Sequence, residues 1–268
     1  MEVLSDTVEK DKKAYELALT FLVNIDKRVS PAVIEQHVLE SEYNRPDNMA
    51  DIFKRLIDSA RNAQMKRNVI GDIQDLKEAL CDYNPSNVLQ KYDGDPKQLL
   101  DYIVTNVKVN DTLRLTDRSI WPRYCRSVMS SASFLSRFNT AQEFHDFVKF
   151  FHDNDTALPA LPLMISKEVY GIGFALACDF LKEVGYQNYA KPDVHLKRIL
   201  PALNLCDSPD EYVVFKSVVR IARNANATPY AVDKVFWLIG SGDFYRSGFR
   251  VGRHADEFIE WARPQLRI

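Results

Sequence analysis

Two helix starts in one stretch, residues 169–198, constrain this 268-residue chain more than any other feature. Gly171-Ile172-Gly173 precedes the apolar run Phe174-Ala175-Leu176-Ala177-Cys178, and Pro192-Asp193 precedes Val194-His195-Leu196-Lys197-Arg198. Glycines on either side of an aliphatic residue let the backbone turn tightly and come close to a partner. The amides of the helix that follows point outward, and with the helix dipole they form an anion site suited to phosphate. An aspartate just ahead of the second helix can be held ionised by that helix's own amides. A phosphate clamp followed by a fixed carboxylate points to chemistry on a nucleic acid. The same residues also fit two structural roles, a tight helix–helix turn and an ordinary N-cap.

The rest of the chain reads as helix. Residues 11–25 carry apolar side chains at helical spacing, and Ser30-Pro31 pairs an N-cap with proline at the first helical position. Ile52, Phe53, Leu56, Ile57 and Ala60 share one face of a helix over 49–65, and the same period predicts helices over 72–81 and 96–107. Thr140-x-x-Glu143 and Ser208-x-x-Glu211 read as capping boxes ahead of apolar runs. Thr228-Pro229 starts a helix that stops at Gly240-Ser241-Gly242. No run alternates long enough to demand a sheet, and there is no internal repeat or low-complexity tract. The class is all-α.

The 169–198 stretch resembles the helix-hairpin-helix, Gly/Pro-rich loop, Asp (HhH-GPD) superfamily of DNA glycosylases. The family hairpin usually reads Leu-Pro-Gly-Val-Gly. Here it reads Val169-Tyr170-Gly171-Ile172-Gly173, with Tyr170 in place of the proline. The family aspartate often sits in Val-Asp-Thr-His, with an arginine three residues after the histidine. Here the string is Pro192-Asp193-Val194-His195, and Arg198 follows. Bifunctional members carry a lysine two residues after the second glycine. That position is Ala175, and 193 − 175 = 18 is the family's lysine-to-aspartate spacing. A weaker likeness lies upstream, where Leu56-Ile57-Asp58-Ser59-Ala60-Arg61-Asn62-Ala63-Gln64 resembles the family's Leu-Ser-Ala-Gln-x-Thr segment. The first fifty residues and the tail after Gly240 carry no such likeness.

The resemblance implies a two-lobed helical glycosylase fold. One lobe is discontinuous and holds both chain ends, the other holds the hairpin, and the active-site cleft lies between the lobes. Within one glycosylase-like unit spanning 1–268, it places the helix-hairpin-helix motif at about 158–185 and the catalytic loop and helix at about 190–203. The implied partner is double-stranded DNA containing a modified or damaged base. The implied reaction flips that base and hydrolyses its N-glycosidic bond with Asp193 as the catalytic residue. Alanine at 175 cannot form a Schiff base, so the resemblance implies a monofunctional enzyme that leaves an abasic site. The backbone at Gly171, Gly173 and Ala175, with Lys66 and Arg67, would grip the DNA backbone without reading sequence. Arg61 takes the base-flipping wedge position, with Asn62 and Gln64 beside it; all three also fit the solvated end of a helix.

A flipped base needs stacking partners, which makes Trp121, Tyr124, Phe236 and Trp237 candidates for the base pocket, although aromatics of this kind also fill cores. His195 fits a brace for the catalytic helix. Several relatives carry an iron–sulfur cluster after that helix, but here only Cys206 follows Asp193, so no cluster is expected. A monovalent cation on the hairpin carbonyls is a family property, and no His/Cys spacing suits a metal. Ordinary damage and a hypermodified base of foreign or phage DNA both fit as targets.

Composition bounds the alternatives. Thirty-five basic against 37 acidic residues argues against a polybasic DNA coat and leaves room for a local basic face. Cys81, Cys125, Cys178 and Cys206 are widely spaced with no C-x-x-C pair, which predicts reduced thiols in a cytoplasmic, or in a bacterium nucleoid-associated, protein. The start lacks a signal peptide's basic and apolar regions, and no apolar run reaches the ~20 residues of a membrane helix, so no membrane partner is expected. A monomer is expected. Two other readings stay open: a non-catalytic helix-hairpin-helix protein that binds DNA structure, and a helical interaction protein in which both motifs are structural. A retained aspartate favours the enzyme over the first, and salt-dependent DNA affinity separates the first from the second.

Overall fold

The computed structural model describes residues 2–39, 45–61, 69–107 and 116–268. Helix α1 spans Glu2–Ile25. Helix α2 (Pro31–Val38) begins where the Ser30 hydroxyl accepts the Val33 N–H, with proline at the first position. Helix α3 (Met49–Arg61) buries Ile52, Phe53, Leu56, Ile57 and Ala60 along one face. From 72 to 81 the chain departs from the helix its period predicts. A 3₁₀ turn at Ile73–Leu76, capped by Asp72, is followed by Cys81, Asp82 and Tyr83 with φ of 49°, 53° and 61°. The apolar period reports only which side chains are buried, and a 3₁₀ segment with a tight turn buries Ile73, Leu76, Leu80 and Tyr83 equally well.

Helices α4 (Pro85–Lys91) and α5 (Pro96–Asn106) start on the side-chain caps Asn84 and Asp95, and α6 spans Ile120–Leu135. Helix α7 (Ala141–His152) is capped by Thr140, while Glu143 reaches back to the Asn139 N–H. Helices α8 (Ala160–Glu168), α9 (Phe174–Glu183), α10 (Val194–Ala202), α11 (Glu211–Asn224), α12 (Pro229–Ser241) and α13 (Ala255–Ala262) follow. The expected Ser208 cap is corrected. Asp210 caps α11 by accepting the Tyr212 and Val213 N–H groups, and the Ser208 hydroxyl accepts the Asp210 N–H instead. A carboxylate suits the positive end of the helix better than a hydroxyl. The only sheet among the described residues is a hairpin of β1 (Asp243–Phe244) and β2 (Phe249–Arg250), so the fold is all-α.

The chain divides into two compact units, one formed by Met1–Tyr43 with Tyr186–Ile268 and the other by Asn44–Gly185. In the first, α12 is the central element. Its Tyr230, Val232, Val235, Phe236 and Ile239 are buried, and α1, α10 and α11 pack around it. Asp11 of α1 is buried but paired, accepting from Arg220 Nε at 2.8 Å and Asn224 Nδ2 at 2.7 Å on α11. In the second unit α6 is central, against α3, α4 and α5, and α9 packs on α8 and α3. No helix among the described residues is long and apolar enough to cross a membrane.

Candidate functional site

Asp193 is the N-cap of α10, with φ −83° and ψ −175°. One carboxylate oxygen, Oδ1, accepts both cap bonds, from the His195 N–H at 2.8 Å and the Leu196 N–H at 3.3 Å. The other, Oδ2, accepts no hydrogen bond among the described residues. The cap therefore orients the carboxylate and leaves half of it available, in a side chain that is only partly buried. A carboxylate fixed in this way can stabilise a nearby cation or accept a proton without reorganising.

The loop ahead of Asp193 is anchored from α12. The buried Asp233 accepts the Lys191 N–H at 3.0 Å, and Asp193's own N–H turns back to the Lys191 carbonyl at 2.8 Å. Sequence reasoning did not single out Asp233; its signal is a lone carboxylate inside the apolar run from Tyr230 to Ile239. Replacing it with alanine takes the acceptor from a part-buried N–H. Asp233→Ala is expected to cost about 1–3 kcal/mol in denaturant unfolding, whereas Asp233→Asn, which keeps an acceptor, should recover most of that loss.

His195, the first-turn neighbour of Asp193, lies against α12. A Cβ added at Gly240 would stand 2.6 Å from His195 Cβ and Nδ1, so the glycine makes room for the ring. Gly240 is thus inside α12 as a packing residue, and the helix continues to Ser241. Trp237 meets His195 edge to face at 6.4 Å and Tyr245 at 5.8 Å. Lys234 sits over Tyr230, Trp237 and Tyr245 at 5.5, 5.0 and 5.3 Å and pairs with no carboxylate among the described residues. Burial alone would raise the Tyr245 hydroxyl, but the charges of Lys234 and Arg246 outweigh it and hold its pKa below the usual tyrosine value. Arg198 pairs with Asp256 on α13, at 2.5 and 2.6 Å.

The hairpin belongs to the 44–185 unit. Helix α8 closes at Val169, whose carbonyl accepts the Ile172 N–H at 3.2 Å, and α9 starts from Gly173 with no side-chain cap. Tyr170, where the family has proline, is 42 % exposed; its N–H bonds to Ser130 Oγ at 2.9 Å, and Arg126 lies over its ring. The two glycines differ. Gly171 has φ +79°, and a Cβ there would reach Ser127 Oγ at 2.8 Å. Gly173 has φ −80° and ψ 173°, which any residue adopts, and a Cβ there would meet nothing within 4 Å. Gly171 is required by the turn itself, whereas Gly173 leaves open space at the start of α9. Ala175 lies in the first turn of that helix.

The other sequence candidates are placed as follows. Arg61 ends α3 with its guanidinium engaged: Nη1 donates to the Gly71 carbonyl at 2.7 Å, and Nη2 pairs with Asp58 at 2.7 Å. Asn62, Gln64, Lys66 and Arg67 lie outside the described residues. Trp121 and Tyr124 stand together on α6, edge to face at 6.4 Å, both buried; the indole Nε1 and the phenol hydroxyl have no hydrogen-bond partner among the described residues. Burial and then the charge of Asp58 push the Tyr124 hydroxyl far above its usual pKa. Phe236 is fully buried in the core of the other unit and packs on Phe258 at 6.1 Å, while Trp237 is partly exposed beside His195. None of the four cysteines is in a disulfide, and burial pushes Cys125 up to about 12. Comparison with known protein families, with curated proteins and with solved structures finds no match to this chain.

Proposed function

We propose that this chain is a DNA N-glycosylase that flips a damaged or modified base from duplex DNA and hydrolyses its N-glycosidic bond with Asp193. The observation that carries the reading is the division of the Asp193 carboxylate, with Oδ1 tied by two amides and Oδ2 free to act. As the bond from the base to C1′ breaks, its electron pair leaves with the base and the sugar gains oxocarbenium character. The fixed anion stabilises that charge. Water then bonds to C1′, and the proton it loses passes to Oδ2.

Two further observations support the reading. The start of α9 at Gly173, which has no side-chain cap and open space where a Cβ would stand, suits a phosphate. The discontinuous unit with both sequence ends carries Asp193, and the 44–185 unit carries the hairpin, as the family's lobes do. Val169–Gly173 would offer a cation its main-chain carbonyls, and no step of the reaction runs through one.

The test incubates the purified protein with DNAs bearing damaged or phage-type modified bases and identifies released bases by mass spectrometry. Base release with an intact abasic strand is expected, and strand breaks should appear only after alkali. With Ala175 at the lysine position, borohydride should trap no covalent protein–DNA adduct. An efficiently trapped adduct overturns the monofunctional assignment. DNA binding without release from any substrate favours the non-catalytic helix-hairpin-helix reading.

A further inference from the structure

The polar face of α3 borders an open depression. With the end of α9 it walls a cavity of about 530 Å³ inside the 44–185 unit. Pro46 and Ile73 form its apolar walls, and the buried His145 holds Pro46 by a ring nitrogen 2.8 Å from its carbonyl. Most of the charges around it are already engaged. Asp47 and Asp51 both accept from the Asn48 amide, at 3.0 and 2.9 Å. Asp58 pairs with Arg61 at 2.7 Å, and Lys54 lies over the Tyr83 ring at 5.3 Å.

Arg45 also lines the cavity and is engaged as well, which leaves Arg55 from α3 and Glu183 from α9. Neither makes a hydrogen bond or ion pair among the described residues, although each feels the other's charge. A lone anion entering here would meet Arg55 but also Glu183 and Asp58. A lone cation would meet Glu183 but also Arg55 and Lys54. A molecule carrying both signs satisfies both groups: its carboxylate accepts from the guanidinium fork, and its ammonium donates to the Glu183 carboxylate. Among the described residues no aromatic side chain lines the cavity, so none of them offers a nucleobase a face to stack on.

We infer that this cavity is a binding site for a small aliphatic zwitterion of the amino-acid class, held between Arg55 and Glu183. Its residues belong to the 44–185 unit, and the inference does not depend on the glycosylase reading. Its pH dependence follows from its surroundings. Burial and then the charge of Asp179 raise Glu183 to about 7, against Lys182 on the same helix and Arg55 on α3, while Asp58 on α3 adds to the rise. The ammonium needs the ionised carboxylate, and the amino acid stays zwitterionic near neutrality. Affinity should therefore fall about tenfold from pH 8 to pH 6 as Glu183 takes up its proton.

The experiment titrates glycine, L-glutamate and L-lysine separately into the full chain, without DNA, by isothermal calorimetry, with adenosine 5′-monophosphate as the nucleotide control. At least one amino acid should bind saturably with Kd of about 1 mM or tighter. Arg55→Gln and Glu183→Gln, each checked for fold by circular dichroism, should each weaken that binding by about tenfold or more. The inference is overturned if none of the three amino acids saturates, if only the nucleotide binds, or if the folded variants bind like wild type. Because no DNA or base release enters the measurement, such a failure leaves the role of Asp193 untouched.

Discussion

Asp193→Asn is expected to lower base release by at least about 100-fold, the scale seen when a charge-stabilising group is removed from an active site. It should leave the fold in place. Asparagine is itself a good N-cap, and its side-chain oxygen can accept the same His195 and Leu196 N–H groups that Oδ1 now accepts. The midpoint of thermal unfolding should move by about 2 °C or less, and affinity for duplex DNA should be unchanged. Asp193→Ala makes the contrast. It removes both anion and cap, so it should lose base release to the same extent and also about 1 kcal/mol of stability. Single-turnover base release and thermal melts on the two variants separate capping from chemistry. Wild-type release by the asparagine variant would leave Asp193 a cap and nothing more.

The hairpin glycines should part in a different way. Gly171→Ala forces a side chain into φ +79° and against Ser127 Oγ, and it should cost about 1–3 kcal/mol in stability. Gly173→Ala meets neither obstacle, so its stability should stay within about 0.5 kcal/mol of wild type. What it alters is the approach to the first turn of α9, where a Cβ would hold a phosphate away from the amides. DNA affinity should drop by roughly tenfold, the equivalent of one lost contact of about 1.4 kcal/mol. The drop should be equal for lesion-bearing and plain duplex, because phosphate contacts position the protein without specifying sequence. Fluorescence anisotropy at fixed salt reads the affinity. A folded Gly173→Ala protein that binds both duplexes like wild type would make the hairpin a structural turn only.

Local chemistry was legible in the order of the residues. Ser30, Thr140, Thr228 and Asp193 cap the helices they were expected to cap, because a cap needs only a side-chain oxygen and an amide two or three residues on. The all-α class followed from the period of the apolar positions, which is set by each helix's own geometry. The period failed at 72–81, where burial alone is common to an α-helix and to a 3₁₀ turn with left-handed residues. The cap at 208–211 failed because a carboxylate two residues later competed successfully with the serine hydroxyl.

Everything that distinguishes one residue of the candidate sites from its neighbour came from contacts distant in sequence. Gly171 and Gly173 are alike as letters, but only the first has Ser127 against it. Asp233 reads as an unexplained charge in an apolar helix until the fold brings the Lys191 N–H to it across 42 residues. The stop expected at Gly240-Ser241-Gly242 is met by Gly242 as a left-handed C-cap, whereas the packing role of Gly240 shows only when the His195 ring is seen to occupy the place of its missing Cβ. Arg55 and Glu183, far apart in the chain, become one cavity wall because α3 packs on α9. Capping and periodicity are set within a few residues, so the sequence by itself determined them. Close approach, shared burial and the pairing of charges depend on which helices meet, and only the tertiary structure decided those.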